Sequence, residues 1–285
     1  MTRENTTFQG TGNAPIRLVA IDLDGTLLNS QHMISPRTER VLREAMAAGI
    51  TIVIATGRPR LTSAAVMRQL GLKTPGVFLQ GLTVYDGEGN LLHEQQMDVE
   101  TAQRVADFAE QHGYTAMVYN SRAILTRERN WLTDQMQKYH EPLPEIVGSL
   151  STLPGRVPIS KFVFVAEPER LPEIRARLTA HIDGRAAIIQ SQAWLLEALP
   201  PGTSKGGGLR WLLDHLGVDP AAVMAIGDGE NDIEMIELAG IGVAVANATD
   251  HLKQVADVVV ASNDADGVAE AIERFALGGE TAPGR

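Results

Sequence analysis

Two acidic clusters stand out in the chain: Asp22 and Asp24 in Asp22-Leu23-Asp24-Gly25-Thr26, and Asp228, Glu230 and Asp232 in Gly227-Asp228-Gly229-Glu230-Asn231-Asp232. Each follows an apolar run directly, Ile16 to Ile21 and Val223 to Ile226, so both sit where a strand would end. Like charges roughly 4 Å apart repel by about 4 kcal/mol at intermediate dielectric, and a bound cation removes that penalty. An all-oxygen carboxylate site favours Mg²⁺ over softer metals. Asp and Gly also gather in ordinary turns, a reading that covers one such loop more easily than two. A calcium-binding loop fails on spacing. Counted from Asp22, the required glycine falls on Leu27 and the required glutamate on Met33; counted from Asp228, they fall on Ile233 and Ala239.

Two further segments add polar and cationic groups. Thr56-Gly57-Arg58 follows the apolar run Ile50 to Ala55, and Lys205 stands in Thr203-Ser204-Lys205-Gly206-Gly207-Gly208. A helix that starts with small residues and a lysine brings backbone N–H groups and positive charge to a phosphate. A glycine linker with a solvated lysine has the same composition. The segment is not a Walker motif, because its glycines follow the lysine.

The elements that would position these groups form βαβ units. Ile16 to Ile21 reads as a strand, and a helix follows from Pro36 with Ser35 as N-cap and Gly49 as the stop. Residues 50–55 are a β-branched run suited to a strand buried on both faces, and a second helix begins at Pro59. The rhythm returns with a helix from about Lys205, the strand VMAIG, a helix from Glu230, and the strands GVAV and DVVV. In such a sheet, ligands bind beyond the carboxyl ends of the strands, where Asp22, Thr56 and Asp228 all fall. Between the two blocks, from the turn Asp86 to Asn90, the pattern changes to helices near 100–112 and 168–182. Strands are predicted there near 115–119, 159–166, 186–190 and 194–198.

Composition narrows the function classes. The net charge of −10 repels nucleic acid and anionic membranes, and no local basic patch offsets it. Without cysteine there is neither a disulfide framework nor a zinc-thiolate site. No apolar run approaches the ~20 residues that span a bilayer. Residues 1–14 read as a disordered polar tail without a signal peptide and 278–285 as a loose C-terminal tail, and the expected location is cytoplasmic.

Taken in order, Asp22-Leu23-Asp24-Gly25-Thr26, Thr56-Gly57-Arg58, Lys205 and Gly227 to Asp232 resemble the motifs of the haloacid dehalogenase superfamily of aspartate-nucleophile phosphatases, over about residues 15–277. Little room lies between Asp22 and Thr56, whereas Thr56 to Lys205 can hold a large cap, so the chain looks like the Cof-type branch. The resemblance implies an α/β fold, a Rossmann-like parallel-sheet core (15–87 and 197–277) with an inserted α/β cap domain (88–196). It implies Asp22 as nucleophile and ligand of Mg²⁺, and Asp24 as general acid and base with its backbone carbonyl on the metal. Thr56 would donate its hydroxyl to the phosphoryl group and Lys205 would hold its charge. Asp228 would complete the metal shell, while Asp232 would reach the ion's water and orient Lys205. Gly25, Thr26, Gly57, Arg58 and Asn231 would face substrate or cap. The expected substrate is a small soluble phosphomonoester: a sugar phosphate, a phosphorylated cofactor or a nucleotide-like metabolite. No nucleic-acid or membrane partner is expected, and the protein would be a monomer or homodimer. A phosphotransferase, a sugar-phosphate mutase and a non-catalytic metal- or phospho-ligand-binding regulator are the alternatives. Two stretches depart from the branch: Gln80-Gly81-Leu82 replaces the usual Asn-Gly-Ala, and Val245-Ala246-Asn247-Ala248 replaces Met-Gly-Asn-Ala.

Overall fold

The computed structural model describes residues 15–139, 141–278 and 280; the tail expected over 1–14, and 279 and 281–285 of the other, lie outside them. Its strands are β1 (Leu18–Ile21), β2 (Thr51–Ala55), β3 (Gly76–Phe78), β4 (Thr83–Tyr85), β5 (Leu91–Glu94), β6 (Ala116–Tyr119) and β7 (Ile124–Thr126). They continue with β8 (Glu145–Ile146), β9 (Lys161–Val165), β10 (Ala187–Gln192), β11 (Leu195–Leu199), β12 (Val223–Gly227), β13 (Ile241–Val245) and β14 (Val258–Val260). The longer helices are α1 (Pro36–Ala47), α2 (Arg60–Leu70), α3 (Val99–Gln111), α4 (Leu171–Ile182) and α5 (Lys205–Leu216). Among the described residues no helix is long and apolar enough to cross a membrane.

The chain divides into two compact units, one built from the chain up to Val53 and from Leu213 onward, the other from Ile54–Leu212. In the first, the strand order is β14-β13-β12-β1-β2. The pairings of β1 with β12, β12 with β13 and β13 with β14 are parallel. The chain leaves β1 toward β2 on one side and returns as β12 on the other, which makes the carboxyl ends of β1 and β12 the topological switch point. Every residue of β1, β12 and β13 is buried, as strands covered on both faces require. Helix α1 starts as its residues predict: the Ser35 side chain accepts from Thr38 N–H at 3.1 Å, and Pro36 opens the helix. It ends at Gly49, whose φ of 87° closes the turn through its N–H to the Met46 carbonyl.

The second unit contains β3 to β11. A six-stranded sheet in the order β10-β11-β9-β6-β7-β8 packs α3 and α4 on one face through Val118, Phe162, Phe164, Leu196 and Ala198. The alternate residues Met117, Val163, Val165, Leu195 and Leu199 form the other face, packed with Leu79 and Leu82. Glu94, at the end of β5, accepts from Ser121 N–H at 2.9 Å and Ser160 hydroxyl at 2.8 Å. These contacts tie β3 to β5 to the six-stranded sheet. The sequence pattern does not predict β4, β5, β7 or β8, which at two to four residues are too short to display an alternation. The helix expected from Glu230 opens with a 3₁₀ turn, Glu230–Asp232, before the α-helix Ile233–Leu238.

Candidate active site

The register of β1 with β12 builds the acidic site. Ile21 pairs with Ile226, and Asp22 N–H continues the ladder to the Ile226 carbonyl at 3.1 Å. Asp22 therefore falls beside Gly227, one residue before Asp228, where the two adjacent strands end. Asp232 comes back to them through the 3₁₀ turn, and ligand oxygens of Asp22, Asp228 and Asp232 lie within 4.8 Å of one another. Asp22 and Asp232 are buried and Asp228 is half-buried.

The Asp232 and Asp228 carboxylates are held by hydrogen bonds. Asp232 Oδ2 accepts from the backbone N–H groups of Asp228 (3.0 Å) and Gly229 (2.9 Å), which fixes the loop that carries Asp228. Thr26 donates its hydroxyl to Asp228 Oδ1 at 2.7 Å. Thr26 thus braces a neighbouring acid with its side chain, while its backbone N–H points to the Leu23 carbonyl at 3.4 Å. Gly25 has a φ of 84°, and a Cβ there would collide with the Asp228 carboxylate, so only glycine fits this turn. Asp24 is half-buried and its side chain stands outside the three-carboxylate group. Asn231 is exposed. Three close carboxylates with two or more lone-pair sites each make a hard, all-oxygen donor set that fits a small divalent cation.

One residue of this loop was not singled out from the sequence. Asn247 donates from Nδ2 to the Gly25 carbonyl at 2.8 Å and accepts from Asn263 N–H at 3.0 Å, and Asn263 in turn donates to the Leu28 carbonyl at 2.9 Å. Its position two residues after the buried strand β13 is the signal that could have found it, since polar residues at strand ends are the ones that reach ligands and their loops.

In the second unit, Thr56 is buried after β2, with its N–H on the Val77 carbonyl (2.9 Å) and its hydroxyl accepting from Arg58 N–H (3.2 Å). Gly57 and Arg58 are half-buried. Lys205 opens α5 and is 2% exposed, a burial that lysine tolerates only with a partner. The Ser204 hydroxyl accepts from Gly207 N–H at 3.0 Å, an N-cap geometry, so the segment is a true helix start rather than a glycine linker.

Residues 19–272 match the family model of the haloacid dehalogenase-like hydrolases. The chain is 39% identical over 267 residues to the endoribonuclease YBEY, chloroplastic, of Arabidopsis thaliana, a match that covers 90% of this chain and 46% of that protein. The chain thus spans about half the length of that relative. It is 32% identical over 251 residues to the HMP-PP phosphatase of Serratia proteamaculans (strain 568), covering 83% of this chain and 86% of that one. The crystal structure of a haloacid dehalogenase-like hydrolase from Bacteroides thetaiotaomicron is similar with a TM-score of 0.83 at 30% identity, over 91% of this chain and 99% of that one.

Proposed function

We propose, since this chain belongs to the haloacid dehalogenase-like hydrolases, that it hydrolyses a small phosphomonoester by transferring the phosphoryl group to Asp22. That the chain is a hydrolase of phosphoric monoester bonds agrees with the phosphatase it matches along most of its length. The observation that carries the mechanism is the gathering of Asp22, Asp228 and Asp232 at the switch point, with the Asp22 carboxylate at the end of β1.

In the first step an Asp22 oxygen bonds to phosphorus while the bond to the leaving oxygen breaks, and Asp24 gives that oxygen a proton. In the second, Asp24 takes a proton from water, which attacks the aspartyl phosphate, releasing inorganic phosphate and restoring Asp22. Thr56 donates its hydroxyl to the transferring group and Lys205 holds its charge. A Mg²⁺ ion held by Asp22, Asp228, Asp232 and the backbone carbonyl of Asp24 would supply the positive charge that lets a carboxylate approach a phosphate dianion. Residues 88–196 serve in this reading as the cap that selects substrates, and 15–87 with 197–277 as the catalytic core. The substrate is a small soluble phosphorylated metabolite, as the HMP-PP phosphatase relative suggests, handled in the cytoplasm.

A screen of phosphorylated metabolites with Mg²⁺ tests the reading, with Asp22→Asn as the control. The folded variant should lose at least about a thousandfold in kcat. Asp24→Asn should slow alkyl phosphates far more than activated aryl phosphates, whose leaving groups need little protonation. Retained activity in Asp22→Asn rules out the covalent step, and turnover only when a second alcohol is supplied, with a new phosphate ester formed in place of free phosphate, would favour a phosphotransferase.

A further inference from the structure

The turn Leu79-Gln80-Gly81 follows β3 with three successive positive φ angles, 52°, 60° and 95°. Glycine adopts such a backbone freely, whereas leucine and glutamine do so under strain, and strain of this kind persists only where the surroundings over-determine it. The surroundings do so on three sides. Leu79 N–H donates to the Arg58 carbonyl at 3.1 Å and Gln80 N–H to the Thr56 carbonyl at 3.2 Å. The Gln80 side chain is buried, with its Nε2 2.5 Å from where a Cβ on Gly57 would stand, so it fills the space against the Thr56-Gly57-Arg58 turn. Gly81 meets the start of α5: a Cβ there would collide with the Ser204 carbonyl oxygen and stand 3.3 Å from Gly208 N. Leu79 and Leu82 are buried with Met117, Tyr119 and Val163 of the six-stranded sheet. One strained turn thus touches the Thr56 loop, the helix start that carries Lys205, and the sheet.

We infer that Gln80 is a positioning residue for phosphoryl transfer: wedged against Thr56-Gly57-Arg58, it sets, together with Gly81, the placement of the Thr56 hydroxyl relative to the Lys205 helix start. It touches no reacting atom, and the inference rests on the roles proposed above for Thr56 and Lys205. A residue that keeps two phosphoryl-holding groups in register acts on the transition state more than on the bound substrate, so its loss lowers kcat and leaves KM nearly unchanged. A side chain that merely fills space would instead tie activity to stability.

Gln80→Asn separates the two. Asparagine accepts the left-handed backbone more readily than glutamine, so the thermal midpoint should stay at or above that of the parent. Its side chain is one methylene shorter, so kcat on a small aryl phosphate should fall about tenfold, with KM within about threefold. Gln80→Ala should cost about a hundredfold in kcat, the scale of a misplacement of roughly 1 Å. Parental kcat in Gln80→Asn, a raised KM with kcat intact, or losses that track the folded fraction would overturn the inference. If Gln80→Ala does not fold, Gln80→Asn decides alone. Asp22→Asn assayed alongside keeps the two failures apart: an active Asp22→Asn brings down the covalent mechanism on which the roles of Thr56 and Lys205 rest, whereas an inactive one beside a fully active Gln80→Asn brings down only the role of Gln80.

Discussion

Each of the two units buries charge, and they do so in opposite ways. In the six-stranded sheet, Lys161 Nζ lies 2.6 Å from Glu197 Oε2, with both side chains at most 5% exposed. The Lys161 ammonium also lies 5.0 Å from the centre of the Tyr119 ring. At the ends of β1 and β12, Asp22, Asp228 and Asp232 bring three groups of the same sign within 4.8 Å. The first arrangement is electrically closed and requires nothing from outside. The second is complete only with positive charge beside it. Burial alone therefore does not mark a site, and the sign of the buried charge does. Tyr119 follows the same logic. Burial, helped by Glu141 and Glu197, pushes its phenol well above the usual range, so it stays a neutral neighbour of the ion pair.

The largest effect expected from this contrast lies in the closed pair. Lys161→Met leaves Glu197 buried without its partner and should cost about 3–5 kcal/mol in urea unfolding, whereas the double variant Lys161→Met with Glu197→Leu should recover to near or above the parent. A double variant no better than the single would mean that the pair contributes net stability of its own.

Cation binding comes next. Mg²⁺ at about 100 times its Kd should stabilise the parent by about 2.7 kcal/mol. A thermal shift with and without chelator should show this gain in Lys161→Met as well and lose it in Asp228→Asn. Equal gains in all three proteins would move the ion away from the carboxylates.

The smallest effect is the most diagnostic in sign. Without divalent cation, Asp228→Asn removes one of three like charges and keeps an acceptor for Thr26, so stability should rise by on the order of 1 kcal/mol. With Mg²⁺ present the order of parent and variant should reverse. A variant less stable under both conditions would show that the three carboxylates do not repel in the cation-free chain.

Much of this was legible in the sequence where the signal is local. Ser35, Pro36 and Gly49 bound α1 through interactions that reach no further than four residues, and the β-branched run at 50–55 forms β2 as read. The short strands β4, β5, β7 and β8 were not legible, because two to four residues show neither period and owe their pairing to neighbours. At the site, the acidic residues announced themselves by type and by following apolar runs. Thr26 as the brace of Asp228 and Asn247 as the brace of Gly25 did not, since each acts on a residue over 200 positions away.

Residue types and their order set the kind of chemistry: carboxylates at strand ends, a lysine at a helix start, and the succession of the segments that carry them. Those are properties of side-chain type and of short-range backbone preference, which a chain expresses wherever it folds. Tertiary structure alone decided that β1 lies beside β12 in a register that brings Asp22 beside Gly227, next to Asp228. It alone folded Asp232 back on the loop of Asp228, and it alone forced Leu79 and Gln80 into a left-handed turn against Gly57 and Ser204. The physical reason is the same in each case. Local propensity acts within a few residues, while the placement of charges and the tolerance of strain depend on what the rest of the chain packs against them.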